Sequence, residues 1–187
     1  MEKTSHAVLV LVDNGFNEIE TMYAKFRLEE AGYRVFLTAP RAGEKYVGRF
    51  GYPCTSEISV YDVHGRHYAG VICCGGWAPA RLRTEGTVKA LVAEMFRAGK
   101  LVAGICSGPS VLISGGICQG VKMTGSTAIL DDLRNAGATL ETGRVTVDRN
   151  VVTSGSTNDL PVFMKAVVDV LAALVHPEHQ LQGSSKV

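Results

Sequence analysis

Leu101-Val102-Ala103-Gly104-Ile105-Cys106-Ser107-Gly108-Pro109-Ser110-Val111-Leu112-Ile113 reads as a buried strand, a glycine-flanked cysteine and a helix. The apolar run 101–105 is short and unbroken, as in a strand covered on both faces. Residues 107–113 are expected to be helical. Between them, Gly104-Ile105-Cys106-Ser107-Gly108 is the cysteine form of the G-x-S-x-G nucleophile elbow. The glycines matter because such a turn is strained and its flanks approach closely. The Cys106 sulfur is then expected at a helix N-terminus, where the dipole and unpaired N–H groups favour the thiolate and lower its pKa. The N–H of Ser107 would point to where an oxyanion forms. The plainer alternative is a core cysteine beside a glycine turn.

Outward from the elbow, strand and helix signals alternate. Residues 6–12 (H-A-V-L-V-L-V) form another continuous apolar run. Ile19, Met22, Tyr23 and Phe26 follow at helical spacing, with Gly32 as a stop. Residues 34–38 and 71–74 read as strands, the second ending in Gly75-Gly76. Val88, Leu91, Val92, Met95 and Phe96 make an amphipathic stripe closed by Gly99. Residues 145–147 and 151–153 read as a hairpin. Thr157 and Asn158 are cap candidates for a last helix carrying Phe163, Val167, Leu171 and Leu174.

This alternation predicts an α/β fold: one domain, with helices in layers around a mostly parallel sheet. The domain is expected over residues 1–179, with a flexible tail at 180–187. Sites in such folds lie beyond the carboxyl ends of the strands. The segments to inspect are therefore 15–20, 75–79, 106–109 and 154–158.

Composition narrows the function classes. The 187 residues carry 19 Lys+Arg against 18 Asp+Glu, too even for a nucleic-acid-binding stripe. No apolar run reaches the ~18 residues of a membrane span. No signal-peptide pattern opens the chain, so a cytoplasmic location is expected. Cys54, Cys73, Cys74, Cys106 and Cys118 contain no CxxC and are odd in number. That argues against structural zinc and against a secreted disulfide framework.

Four stretches, in order, resemble the ThiJ/PfpI superfamily, which shares the class I glutamine amidotransferase-like fold. Ala103 to Pro109 is similar to its A-I-C-H-G-P elbow. Gly15-Phe16-Asn17-Glu18-Ile19-Glu20 is similar to G-F-E-D-x-E, and Gly75-Gly76-Trp77-Ala78-Pro79 to G-G-x-A-P. Residues 112–116 and 131–138 are similar to L-I-S-A-G and D-D-x-x-N-A-G. The resemblance covers residues 6–175. It implies a flavodoxin-like sandwich, a homodimer or higher oligomer, and a site built from Cys106 and Glu20. Periodicity alone does not choose between Glu18 and Glu20, since both lie about 100° from the apolar stripe. By the same resemblance, Gly76 would supply a second oxyanion N–H beside that of Ser107. A glutamate next to a thiolate would have its pKa raised and could act as general acid.

Two positions depart from the family pattern. The residue after the nucleophile is Ser107 where many members have His, and the position after G-G-x-A-P is Ala80 where the peptidase scheme has Glu. Serine is no base near neutral pH, and a peptidase must protonate an amine leaving group. His6, His64, His67, His176 and His179 lie elsewhere. His176-Pro177-Glu178 resembles the H-P-E of glutamine amidotransferases, but it follows the terminal helix and reads more simply as a helix stop at Pro177.

The expected enzyme is therefore a cysteine-dependent hydrolase, hydratase or lyase for a small electrophile, needing no metal or organic cofactor. Glyoxalase, deglycase and isocyanide hydratase are the types in view. The alternative is a non-enzymatic redox or stress protein that senses oxidation at Cys106. Cys74 is a candidate resolving thiol, or a small buried hydrophobe. Trp77 is a candidate pocket wall or subunit contact. Residues 154–157 either close the site or cap a helix.

Overall fold

The computed structural model describes residues 6–175. Along the chain lie β1 (Ala7–Leu11), α1 (Glu18–Glu30), β2 (Arg34–Ala39), β3 (Lys45–Val47), β4 (Pro53–Thr55), β5 (Ile58–Ser59) and β6 (Gly70–Cys73). Then come α2 (Ala78–Leu82), α3 (Gly86–Arg97), β7 (Leu101–Ile105), α4 (Pro109–Ser114), β8 (Lys122–Met123) and α5 (Leu130–Asn135). The described chain closes with β9 (Thr139–Leu140), β10 (Val145–Asp148), β11 (Val151–Ser154) and α6 (Leu160–Val175). The expected domain boundary at 179/180, the tail, and the His176-Pro177-Glu178 triplet with His179 lie outside the described residues.

One seven-stranded sheet runs β10-β11-β7-β6-β1-β2-β5, and only β10 is antiparallel. Every residue of β1, β6, β7 and β11 is buried, which is why these strands read as unbroken apolar runs. The α1 crossover leads from β1 to one side of the sheet, and the α3 crossover leads from β6 to the other. Right-handed crossovers therefore put α1 and α3 on opposite faces. α6 packs with α1, and α4 with α3. The expected flavodoxin-like three-layer architecture is the one observed. Among the described residues, no helix is long and apolar enough to cross a membrane.

Helix α1 departs from simple amphipathic logic. Most of its apolar stripe faces outward, with Ile19 60% and Phe26 59% exposed, while Met22 is half-buried against the core. Glu18, Glu20, Thr21, Ala24 and Leu28 face inward. A helix that buries two glutamates and exposes its aromatics has its orientation set by the polar partners waiting inside.

The elbow is as tight as its glycines suggest. Cys106 takes φ +60°, in the left-handed region where side chains cost about 1–2 kcal/mol. Its N–H donates to Ser154 O at 2.9 Å and its carbonyl accepts from Ser126 N–H at 2.9 Å, so neighbouring segments pin the strained residue. The helix begins later than expected, at Pro109 instead of residue 107.

Candidate active site

Four chain segments converge where the strand order switches direction between β1 and β6, the usual site position in an open α/β sheet. Glu20 enters on the first turn of α1, behind an asparagine cap. Asn17 Oδ1 accepts the Glu20 N–H (3.3 Å), and Asn17 Nδ2 donates to Glu20 Oε1 (3.0 Å). The hydroxyl of Thr157, after β11, donates to the same Oε1 at 2.6 Å. Glu20 Oε2 accepts the N–H of Gly75, after β6, at 2.6 Å. The carboxyl is closed off from solvent. Burial is the largest influence and raises its pKa above the ordinary carboxylate value. The hydrogen bonds from Thr157 and Gly75, the charge of Arg49 and the contact with Cys106 oppose that rise without cancelling it.

Cys106 lies beside this carboxyl and is partly open to solvent. A Cβ at Gly75 would sit 2.8 Å from Cys106 Cβ, 2.9 Å from Glu20 Oε2 and 3.1 Å from Cys106 Sγ. Gly75 therefore leaves the space in which carboxyl and sulfur meet. The backbone N–H groups of Ser107 and Gly76 act on the sulfur and favour its thiolate form. The Ser107 hydroxyl donates to Gly76 O at 3.0 Å, which ties the elbow to the exit of β6.

The thiol pKa corrects the expectation of a lowered value. Burial first, and then the negative charge of Glu20, push Cys106 above the ordinary thiol value, and the N–H groups only moderate this. The helix behind the sulfur starts three positions later and is six residues long. A dipole effect concentrated in the first turn has little hold at that distance. Burial raises both groups; the Glu20 charge raises the thiol further, whereas the bond from the thiol lowers Glu20, so the two protons are coupled.

Glu18 and Glu20, inseparable by periodicity, have different surroundings. Glu18 Oε1 accepts the Phe50 N–H at 2.5 Å, and a Cβ at Gly48 would lie 2.3 Å from Glu18 Cδ. Glu18 thus holds the tip of the β3–β4 hairpin against α1. Gly76 has φ +88°, and a Cβ there would meet Gly15 O at 2.4 Å. The Asn17 N–H donates to Gly75 O (3.0 Å) and the Trp77 N–H to Gly15 O (2.7 Å), joining the first loop to the Gly75-Gly76 turn. Trp77 is 62% exposed at the lip, with the Arg49 guanidinium 5.3 Å from its ring centre.

Other candidates stand apart from this cluster. His6 precedes β1, while His64 and His67 flank the turn before β6, all at the amino ends of their strands and away from the site. Ala80 is exposed on α2. Cys54 and Cys118 are buried with thiols pushed up to about 11, and Cys73 to about 12. Cys74 is also buried, and desolvation and then the Glu20 charge push it well above the ordinary thiol value, which suits packing better than attack on another sulfur. Among the described residues no group of three or more His, Cys, Asp or Glu is placed to hold a metal ion.

Sequence reasoning did not find Asn17, Gly75 or Arg49, and saw Thr157 only as a loop or cap residue. The cap is in fact Ser156, which accepts the Asn158 N–H, and Thr157 is left free to turn to Glu20. Asn17 carried one signal: an asparagine immediately before an acidic helix start is a cap.

The DJ-1/PfpI family profile matches residues 6–170. Deglycase TK1284 of Thermococcus kodakarensis is 35% identical over 88% of this chain and 98% of that protein. Deglycase PfpI of Pyrococcus furiosus is 34% identical over the same shares. A two-domain Anabaena variabilis protein with DJ-1/ThiJ/PfpI-like and ferritin-like domains superposes with a TM-score of 0.86 at 32% identity. That match covers 89% of this chain and 48% of the larger one. A family profile spanning residues 6–170, with relatives 35% and 34% identical over nearly their whole length, shows that the chain belongs to the DJ-1/PfpI family.

Proposed function

We propose that the protein is a cysteine-dependent enzyme acting on a small electrophile such as a 2-oxoaldehyde or an isocyanide. The observation that carries this reading is the contact between the Cys106 sulfur and a buried glutamate whose other bonds are all supplied by fixed donors. With an aldehyde, the sulfur electron pair forms an S–C bond as the C=O π pair moves to oxygen. The proton leaving the thiol passes through Glu20 and ends on that oxygen, giving a hemithioacetal. The N–H groups of Gly76 and Ser107 are the donors available to the developing oxygen charge. Two relatives named deglycases support a carbonyl electrophile. Among the described residues no imidazole adjoins the pair, which weighs against expelling an amine from a peptide bond.

The test is turnover of methylglyoxal and of an alkyl isocyanide by the wild type and by Cys106→Ser. Turnover of either, lost by at least about 10³-fold in Cys106→Ser, is expected. Peroxide-dependent change in stability with no turnover of either compound would favour the redox-sensor reading instead.

The outward stripe of α1 supports a homo-oligomer in which a second copy covers this face. Ile19, Met22, Phe26 and Tyr52, with Glu18, line a surface groove of about 350 Å³ there. Charged replacement of one apolar anchor should undo such an interface. Sedimentation equilibrium is expected to show Phe26→Glu shifted toward monomer relative to the wild type. A wild type that sediments as a monomer would remove this part of the reading.

A further inference from the structure

The tip of the β3–β4 hairpin brings a cation to the mouth of the site. The Arg49 N–H donates to Phe16 O at 3.0 Å, and Gly15 N–H donates to Val47 O at 2.7 Å. Together with the Phe50–Glu18 bond, these fix the hairpin tip to the loop that leads into Glu20. The Arg49 guanidinium lies 5.3 Å from the Trp77 ring centre and 5.0 Å from that of Phe50. Its field reaches the site, because its charge acts on Glu20. Among the described residues its guanidinium has aromatic neighbours and no carboxylate partner. An arginine held by ring stacking keeps its hydrogen-bond donors free for a ligand.

We infer that Arg49, backed by Trp77, is a specificity-determining residue, and that the site prefers an electrophile carrying an anionic group over a neutral one. This deepens the proposed function and rests on Cys106 being the attacked sulfur. The charge balance points the same way. Attack leaves negative charge shared among sulfur, oxygen and Glu20, and an incoming anion adds another, so a nearby cation discriminates strongly by substrate charge.

Alkylation of Cys106 tests this without turnover. Iodoacetate and iodoacetamide react by the same displacement, with the sulfur forming the S–C bond as iodide leaves, and they differ in one negative charge. Rates at Cys106 are read by peptide mass spectrometry in the wild type, Arg49→Gln, Arg49→Lys and Arg34→Gln. Arg34 is an exposed cation that opens β2, at the other end of the sheet, over Phe36. The iodoacetate-to-iodoacetamide rate ratio is expected to fall about three- to tenfold in Arg49→Gln, as for loss of one nearby charge at intermediate dielectric. It should recover partly in Arg49→Lys, stay unchanged in Arg34→Gln, and shrink in the wild type at about 1 M salt. A ratio indifferent to Arg49→Gln, or moved equally by Arg34→Gln, overturns the inference. If the ratio behaves as expected and no electrophile is turned over, the charge selection stands and the enzymatic reading fails. Where turnover is found, glyoxylate should lose more kcat/KM than methylglyoxal in Arg49→Gln, and equal losses overturn the inference.

Discussion

Replacing Glu20 by glutamine is expected to move thiol reactivity and turnover in opposite directions. The carboxylate charge is the second-largest cause holding the Cys106 thiol above its ordinary value, after burial. The neutral amide removes that charge while keeping the shape, so the thiol should titrate at lower pH than in the wild type. Alkylation by neutral iodoacetamide near pH 7 should therefore speed up. Turnover should fall by about 10² to 10⁴, the usual contribution of a positioned proton donor or acceptor, because an amide carries no transferable proton. A merely structural glutamate would lower both rates together. The measurements are the pH profile of iodoacetamide alkylation and kcat/KM on the best electrophile found. An unchanged or raised alkylation midpoint in Glu20→Gln would show that the carboxyl does not act on the sulfur by its charge.

The same group has a consequence for stability against pH. Burial raises Glu20, so the folded state keeps this proton to higher pH than the unfolded chain does. Its contribution to stability is full below the ordinary carboxylate value and is lost as pH rises through the folded value.

The largest loss of stability is expected from Gly108→Ala. Gly108 has φ −53°, where alanine is comfortable, so conformational preference alone would favour the change. Space decides otherwise: a Cβ there would lie 1.9 Å from Cys73 O and 2.8 Å from Ile105 O. Both neighbours are backbone atoms at the ends of central strands, and neither can swing aside as a side-chain tip can. Separating β6 from the elbow should cost about 3 kcal/mol or more. Gly86→Ala is the matched control, since Gly86 opens α3 with nothing within 4 Å of a built Cβ. It should be neutral or stabilise by up to about 1 kcal/mol. Urea unfolding of both variants gives the comparison. A Gly108→Ala midpoint equal to the wild type would mean that the β6–elbow approach is looser than described.

How far the fold and site could be read from sequence depended on where the polar bonds go. The central strands were legible because burial on both faces leaves an unbroken apolar signature, and the elbow because Gly104 and Gly108 stand two residues either side of its cysteine. The orientation of α1 was not legible. Its apolar stripe at Ile19, Met22, Tyr23 and Phe26 has ordinary helical spacing, and only Asn17, Gly75 and Thr157 reveal that the glutamate side faces in. Thr157 is 137 residues from Glu20, a contact made by β11 running beside β7 and not by any local pattern. The β3–β4 hairpin that carries Arg49 is short and mostly exposed, so it shows no run of apolar residues to mark it.

The left-handed backbone at Cys106 restricts which chemistry this position can inherit. Threonine, with its branched Cβ, is poorly tolerated at such a φ, whereas serine and cysteine carry a single γ atom and can be held there. A lineage keeping this turn can exchange a soft thiol for a hard hydroxyl, but it cannot drift to the third common side-chain nucleophile without rebuilding the turn.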